Sequence, residues 1–429
     1  MAVPHFDLAR LLSPGDVATF LERTWETKPL LLARNDPQFY AGLFSPADVD
    51  HVIAYTRPQF PGPGEYPGAA PPAKTFVQGC LPDRPAAPTT HHAGIADLRR
   101  TFAAGKTVVI RSMQNRWPAV AALCRSLEAV FHCPVHTNLY LTPPRSQGFE
   151  PHIDTHEVFA LQIDGTKHWR LYDFVAEAPL VEDKTGLRRS ELGAPREIVL
   201  EPGDLLYIPR GYAHEAFTTT GPSLHLTVGV NVYRWLDVLH EALIDVARRD
   251  SRFRASVPPR TLLSNALPTD ATGMFQQLLH SFAEEARLGT AVRRLADRFF
   301  DGLDPLPDGY FAFAGADTPL TAESVLVKRP GALCRVLVDG DMALLEFPGG
   351  RLGGPARIAP ALRFIAATDR FAVQEMPQLG ADAKLVLARR AVSEGLLAIG
   401  PEPTAPPAAS PGGNGVARHA VGRAVGNGV

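Results

Sequence analysis

The chain is poor in cysteine: Cys80, Cys124, Cys133 and Cys334 are the only four in 429 residues. Their spacing forms neither a zinc ribbon nor a disulfide framework, which suits a reducing compartment. A charge bias is also lacking. With 43 Lys plus Arg against 45 Asp plus Glu, the formal net charge is −2, so no global basic field draws the chain to nucleic acid. No direct nucleic-acid binding is expected, and partners must be recognised locally. No apolar run approaches the length of a membrane span, and residues 1–7 lack the basic start and apolar stretch of a secretory leader. A cytoplasmic protein without a membrane partner is the expectation. There is no P-loop, no Gly-rich dinucleotide fingerprint, no Ser-His-Asp order and no solenoid-type repeat.

What the chain does have is two segments that answer one another. The first is Pro151-His152-Ile153-Asp154-Thr155-His156. In an extended strand residues i and i+2 leave the same face, so His152 and Asp154 can present an imidazole and a carboxylate to one point. The second runs from Glu201 to His214. Pro202-Gly203-Asp204 reads as a turn, Leu205 to Pro209 as a short apolar strand, and Arg210-Gly211-Tyr212 as a second turn delivering His214 to the next strand. Two histidines and one carboxylate on one side of a metal leave the opposite positions open, the arrangement of non-haem Fe(II) oxygenases rather than of a closed structural zinc site. Between the segments, Glu157–Ile163, Asp164-Gly165 and Lys167–Tyr172 read as a β-hairpin.

His225 competes with His214 for the third position, because it alternates with Leu224, Leu226 and Val228 and could face a barrel lumen. His214 is favoured because a residue just after a Gly-containing turn can be aimed without shifting a whole strand. His156 and His168 read as flanking, outer-sphere or surface groups, and His91 and His92 lie in a Pro-rich stretch read as a loop.

The runs Asn138–Asp154 and Phe159–Leu171, with the Pro-Gly-Asp and Pro-Arg-Gly-Tyr-Ala-His segments, resemble the cupin-like JmjC oxygenases, most closely the ribosomal oxygenase group. The resemblance implies an α+β fold: a double-stranded β-helix (jelly-roll) barrel, a helical domain and a C-terminal winged-helix-like domain. It implies Fe(II) as cofactor, 2-oxoglutarate and O2 as cosubstrates, and His152, Asp154 and His214 as iron ligands. It also carries over Lys167 as the cation that meets the remote carboxylate of 2-oxoglutarate. Physics agrees, since a buried dianion needs a fixed positive partner to offset its desolvation. Asn138 and Tyr140 match pocket-lining positions, for cosubstrate contact or support of the site, and Thr227 is a further candidate. Gly229 departs from the polar residue that many relatives carry there, so that part of the pocket is expected to have a different shape.

The organisation expected is as follows. Residues 1–100 hold N-terminal helices, a first strand and a Pro/Gly-rich insert. Within them Ser13 and Pro14 read as the start of a helix to Trp25, and Lys28–Ala33 as a strand. Residues 101–234 form the catalytic barrel core, including a helix from Trp117 to Phe131. Residues 235–305 carry helical stripes at Leu236, Leu239, Leu243 and Val246 and again from Phe275 to Leu295, read as a helical domain with a possible dimerisation role. Residues 306–400 form the winged-helix-like domain, with Ala381–Ile399 as its last helix. Residues 401–429, rich in Pro, Gly and Ala, read as a disordered tail.

The function expected is Fe(II)- and 2-oxoglutarate-dependent hydroxylation of a protein side chain, an Arg or His of a ribosomal protein. The competing readings are hydroxylation of a non-ribosomal peptide or natural product, and a non-catalytic metal-binding cupin or regulator. A lysine demethylase is disfavoured by the lack of a chromatin-reading module.

Overall fold

The computed structural model describes residues 6–61, 76–79, 90–92, 94–180, 187–258, 261, 269–310 and 319–400. The chain opens with two short helices, α1 (Leu8–Leu12) and α2 (Val17–Arg23), before strand β1 (Leu30–Leu32). The second helix starts later than Ser13-Pro14 suggested. Asp16 is its N-cap, its carboxylate accepting from the Thr19 N–H at 2.8 Å, so an equally good capping group three residues downstream takes the place of the serine. Helix α3 (Pro46–Thr56) follows. Strands β2 (Gln59–Pro61) and β4 (Thr90–His92) pair as an antiparallel ribbon, which puts His91 and His92 on a strand rather than in a loop. Strand β3 (Phe76–Gly79) lies parallel to β5 (Thr107–Ile110), with α4 (Ile95–Ala103) between them in sequence. The rest of the Pro/Gly-rich insert falls outside the described residues, as does the tail after Gly400.

Helix α5 (Pro118–Phe131) has proline at its first turn and ends at His132, which adopts a left-handed conformation. The barrel strands then follow: β6 (Val135–Thr142), β7 (Glu157–Gly165), β8 (Lys167–Phe174), β9 (Arg196–Leu200), β10 (Leu205–Ile208), β11 (Tyr212–Phe217) and β12 (Ser223–Val230). They form two sheets. The larger has the order β1-β10-β7-β12-β6-β5-β3, the smaller β11-β8-β9. The expected hairpin is therefore corrected: β7 pairs with β10 and β12, whereas β8 pairs with β11 and β9. The chain changes sheets at Gly165, where φ is +64° and a Cβ would stand 2.0 Å from the Pro222 carbonyl oxygen. Only glycine can make that corner.

The two sheets face each other across Val158, Ala160, Leu206 and Ile208 on one side and Trp169, Leu171, Ile198 and Leu200 on the other. This is the α+β jelly-roll arrangement expected of a cupin. The opposite face of the larger sheet, including Phe159, Leu161, Leu226 and Val228, packs on α1, α2, α3 and α5 in the largest apolar cluster. Each such fully buried side chain contributes about 1.5–3 kcal/mol of transfer free energy, so the large sheet is anchored on one face and its other face is free to line a cavity.

Helices α6 (Trp235–Arg249), α7 (Thr269–Glu285) and α8 (Leu288–Asp301) follow the barrel. Glu241 on α6 receives Arg294 and Arg298 of α8. The last region has strands β13 (Val325–Lys328), β14 (Arg335–Asp339), β15 (Met342–Phe347), β16 (Gly350–Pro355), β17 (Arg370–Ala372) and β18 (Leu397–Ile399), with helices α9 (Ala359–Ala367) and α10 (Ala381–Ser393). The last helix is shorter than expected: it ends at Ser393, and the chain returns as β18 against β13. This region has its own apolar core around Leu326, Leu345, Leu362 and Leu397. Arg125 on α5 ties it to the barrel, donating to the carbonyls of Gly331 and Asp304 at 2.7 Å each. Among the described residues no helix is long and apolar enough to cross a membrane.

Candidate metal and anion site

The alternation along β12 sorts its side chains. Leu224, Leu226, Val228 and Val230 join the outer apolar core, while His225 and Thr227 face inward onto a cavity of about 50 Å³. The register places Tyr140 opposite His225 and Asn138 opposite Thr227 on β6. Lys167, Trp169 and His214 close the cavity from the smaller sheet.

His152, Asp154 and His214 meet at its edge, with one donor atom from each lying within 4.8 Å of the others. Residues 152 and 214 form an isolated antiparallel bridge, N–O 3.1 Å one way and 2.9 Å the other. The amide of Gly211 donates to the Asp154 carbonyl at 3.1 Å. The Pro-Arg-Gly-Tyr turn thus docks on the segment that carries the first two residues. Each imidazole is oriented through Nδ1, facing a backbone carbonyl: Glu150 O at 2.9 Å for His152 and Tyr212 O at 3.1 Å for His214. If Nδ1 carries the proton and donates there, Nε2 keeps its lone pair for the centre of the cluster, where His214 Nε2 stands 3.6 Å from Asp154 Oδ2. Burial, aided by the neighbouring His152, pushes His214 down to about 4, so it is a neutral donor at neutral pH. Two imidazoles and a carboxylate converging in this way suit a divalent transition metal with open positions.

Lys167 is 2% exposed, and its Nζ donates to Thr142 Oγ1 at 2.8 Å. No carboxylate pairs with it among the described residues. Burial pushes its ammonium down to about 7. A charged lysine held this deep with a hydroxyl as its contact is costly, and a bound anion would offset that cost. Tyr140 and Thr227 line the same cavity, whereas Asn138 is not among its lining residues and its side-chain oxygen accepts from the Ser112 amide at 3.3 Å. Burial, with Asp154 nearby, pushes the Tyr140 phenol up to about 12, against the influence of Arg111 and an Asn138 hydrogen bond.

His225 stands apart from the metal cluster. Its ring stacks on Tyr140 at 4.8 Å and 3°, and among the described residues its buried Nδ1 finds no hydrogen-bond partner, nor does Trp169 Nε1. Both rings line the cavity beside Lys167. Sequence reasoning saw His225 only as a rival ligand, although its alternation with leucines already placed it on the inner face. Gly229, where a differently shaped pocket was expected, is not among the residues lining this cavity. A Cβ there would lie 2.3 Å from the His136 ring and 2.6 Å from that of His156, so the missing side chain makes room for these two imidazoles. Sequence reasoning did not single out His136. A separate cleft of about 710 Å³ begins at His136 and Asn231 and runs to Asp304–Pro307; it balances Arg116 and Arg125 against Glu128 and Asp304.

Two buried networks, also missed, flank the cluster. Glu157 accepts from Tyr207 and from Arg210 Nη1 (3.0 Å), and Arg210 reaches on to Glu26 (3.1 Å), bracing the strand after Asp154 against the turn before His214. On the other side Glu215 is fully buried and accepts from Tyr172 (2.6 Å), Gln147 (2.6 Å) and Arg189 (2.5 and 3.1 Å). Lone charges in a sequence do not announce such pairings.

Residues 111–238 match the JmjC domain family. Ribosomal oxygenase 2 of Bos taurus is 30% identical over 357 residues, covering 80% of this chain and 68% of that protein. The chain belongs to the JmjC ribosomal oxygenase family. A second member, the bifunctional lysine-specific demethylase and histidyl-hydroxylase NO66 of Culex quinquefasciatus, is 33% identical over 313 residues, which is 68% of this chain and 46% of that one. The chain spans about half the length of several curated relatives in the family. The solved structure of Escherichia coli ycfD has the same fold, with a TM-score of 0.50 at 19% identity over 90% of this chain and 98% of that one. The family match contains the three converging residues and Lys167.

Proposed function

We propose that the protein is an Fe(II)- and 2-oxoglutarate-dependent oxygenase that hydroxylates a protein side chain, an Arg or His of a ribosomal protein. The observation that carries the reading is the pairing, across one small cavity, of a His152–Asp154–His214 cluster with a buried lysine whose hydrogen-bond partner is the Thr142 hydroxyl and which no carboxylate meets among the described residues. Curated relatives named ribosomal oxygenase and histidyl-hydroxylase support the substrate class.

His152, Asp154 and His214 would hold the iron. Bound there with 2-oxoglutarate and O2, it would supply the oxidising power that converts a substrate C–H to C–OH while 2-oxoglutarate becomes succinate and CO2. The chain's own residues do the rest. Lys167 Nζ binds the remote carboxylate of 2-oxoglutarate, and Thr142 Oγ1 holds that nitrogen in place. The stacked Tyr140 and His225 rings and Trp169 form a wall that keeps water from the cosubstrate, Thr227 borders it, and Asn138 supports Tyr140 from behind. Asp154 gives the cluster its negative charge.

Outside the barrel, residues 306–400 are proposed as a winged-helix-like domain and residues 235–305 as a dimerisation module. The second assignment is supported by exposed Trp235, Leu236, Leu239 and Leu243 on α6 and by Phe275 and Leu279 on α7. Large apolar side chains exposed on two neighbouring helices call for a partner, here a second copy of the chain. Leu239→Glu combined with Phe275→Glu is expected to turn a dimer into a monomer, read by light scattering; an unchanged mass would refute the module.

The reaction is tested by incubating the iron-loaded protein with 2-oxoglutarate and purified ribosomal proteins. Succinate formation with one added oxygen on a single Arg or His, located by mass spectrometry, is the expected result. Turnover that leaves every ribosomal protein unmodified would remove the substrate assignment, and absence of turnover by iron-bound protein would remove the enzyme.

A further inference from the structure

The ring orientations of His152 and His214 depend on two backbone carbonyls, those of Glu150 and Tyr212. What holds the Glu150 segment and the β11 strand in mutual register therefore sets the spacing of the two imidazoles. The backbone ties them by the bridge between residues 152 and 214, by a second bridge between Gln147 and Phe217, and by the Gly211 amide on the Asp154 carbonyl. Side chains add to these ties, and they converge on one carboxylate. Glu215, next to His214 but pointing to the opposite face of the strand, is entirely buried and takes Gln147 Nε2 and Tyr172 OH at 2.6 Å each. The same Gln147 amide donates to Phe149 O at 2.8 Å, so the segment leading to His152 is bound to the back of β11.

Two cations meet this node: Arg170 Nη1 stands 3.8 Å from Glu215 Oε1, and Arg189 is hydrogen-bonded to both carboxylate oxygens. Arg189 sits on a short turn (Arg189–Glu191) in the excursion between β8 and β9, outside both sheets. Its Nε and Nη2 grip the two oxygens of Glu215 at 3.1 and 2.5 Å, a two-point fork, and Nη2 also reaches Glu150 Oε2 at 3.3 Å. A single guanidinium thus holds the residue after one histidine and the residue two before the other. We propose that Arg189 is a positioning residue for the metal cluster, fixing the separation and tilt of His152 and His214 by clamping Glu215 to Glu150. The inference rests on the metal reading of the cluster. It adds that the Arg189–Glu191 turn, half-exposed at Arg189 and outside the set of converging residues in sequence, belongs to the site: outer partners that orient ligands act on metal affinity as well as on geometry.

The test uses full-length protein, freed of metal and titrated with Co(II), whose ligand-field spectrum reports coordination geometry independently of turnover. Arg189→Met is expected to weaken Co(II) binding about 10-fold, the lower end of what outer partners contribute, and to change the Co(II) bands, with the far-ultraviolet circular dichroism unchanged. Arg189→Lys restores a point charge but not the fork, and should lie between wild type and Arg189→Met. Glu150→Gln removes the exposed end of the clamp without endangering the fold; it is expected to weaken binding about threefold, the scale of an exposed ion pair, and to add nothing in the Arg189→Met background. Arg335→Met, which breaks the Asp297–Arg335–Glu346 pairing far from the cluster, is the control and should lower the thermal midpoint while leaving the Co(II) spectrum alone. Wild-type affinity and spectrum in both Arg189→Met and Glu150→Gln would overturn the proposal alone. A wild-type chain that binds no Co(II) would overturn the metal reading together with it.

Discussion

The barrel and the C-terminal region are both built around buried apolar cores, but they differ in what else they bury. Between Thr107 and Val230 the chain hides Lys167, His214, His225, Glu157 and Glu215; between Leu320 and Leu397 the buried polar residue among the described ones is Arg329. Burying an ionisable group costs free energy unless a partner compensates. The C-terminal region buries one such group, Arg329, against Asp308 at 3.0 Å, and reads as a scaffold. In the barrel, the two glutamates are compensated by arginines, whereas among the described residues Lys167 meets a hydroxyl but no carboxylate, and His225 Nδ1 and Trp169 Nε1 meet no partner, around one cavity. The difference separates buried polarity that holds a site together from buried polarity that awaits a ligand.

Substitutions can break this contrast. The largest effect is expected at Asp154→Ala, which removes the cluster's charge: divalent-metal affinity should fall by more than about 100-fold, beyond the range of outer partners, and succinate formation should cease, with circular dichroism retained. Next is Lys167→Met. It should raise the 2-oxoglutarate KM by about 30-fold or more, given the 2–5 kcal/mol typical of truncating a buried charge partner, while leaving metal affinity near wild type. The same lysine makes a pH prediction. Its folded value, about 7, lies below the unfolded 10.5, so between those limits the unfolded chain holds more protons and the stability of the ligand-free protein rises with pH. Lys167→Met should flatten that rise in denaturant titrations. Because a bound dianion restores the charged form, 2-oxoglutarate binding near pH 8 should take up a proton, visible as a buffer-dependent calorimetric enthalpy. The smallest effect on the site is expected from Leu345→Ala in the C-terminal core. Stability should fall by about 2–5 kcal/mol with metal and 2-oxoglutarate affinities unchanged; a coupled loss would end the division between scaffold and site.

The cluster was legible because it is local. His152 and Asp154 lie two apart, and the structure brings them together although their segment is a connection between β6 and β7 with one isolated bridge at His152 rather than the strand expected; the Pro-Arg-Gly-Tyr turn pointed to His214. Lys167 was reached through family likeness, and its isolation from carboxylates became visible only in three dimensions. The hairpin misread at Asp164-Gly165 has the same origin: a two-residue turn signal cannot tell a hairpin from a corner between sheets, which depends on Pro222 lying against Gly165. The Ser13 cap lost to Asp16 through competition within a few residues. The Glu215–Arg189 and Glu157–Arg210 networks were illegible because their members lie 26 and 53 residues apart and nothing in composition pairs them. His136 and His156, 20 positions apart, meet only because Gly229 leaves them space.

The central claim is that one cavity joins a metal cluster to an anion-binding lysine. It is tested most directly by calorimetric titration of 2-oxoglutarate into Co(II)-loaded wild type, metal-free wild type and Co(II)-loaded Lys167→Met. The account predicts one 2-oxoglutarate per chain in the first and binding at least about tenfold weaker in each of the others, as expected when a charged or metal partner is removed. Equal affinity in all three would contradict it.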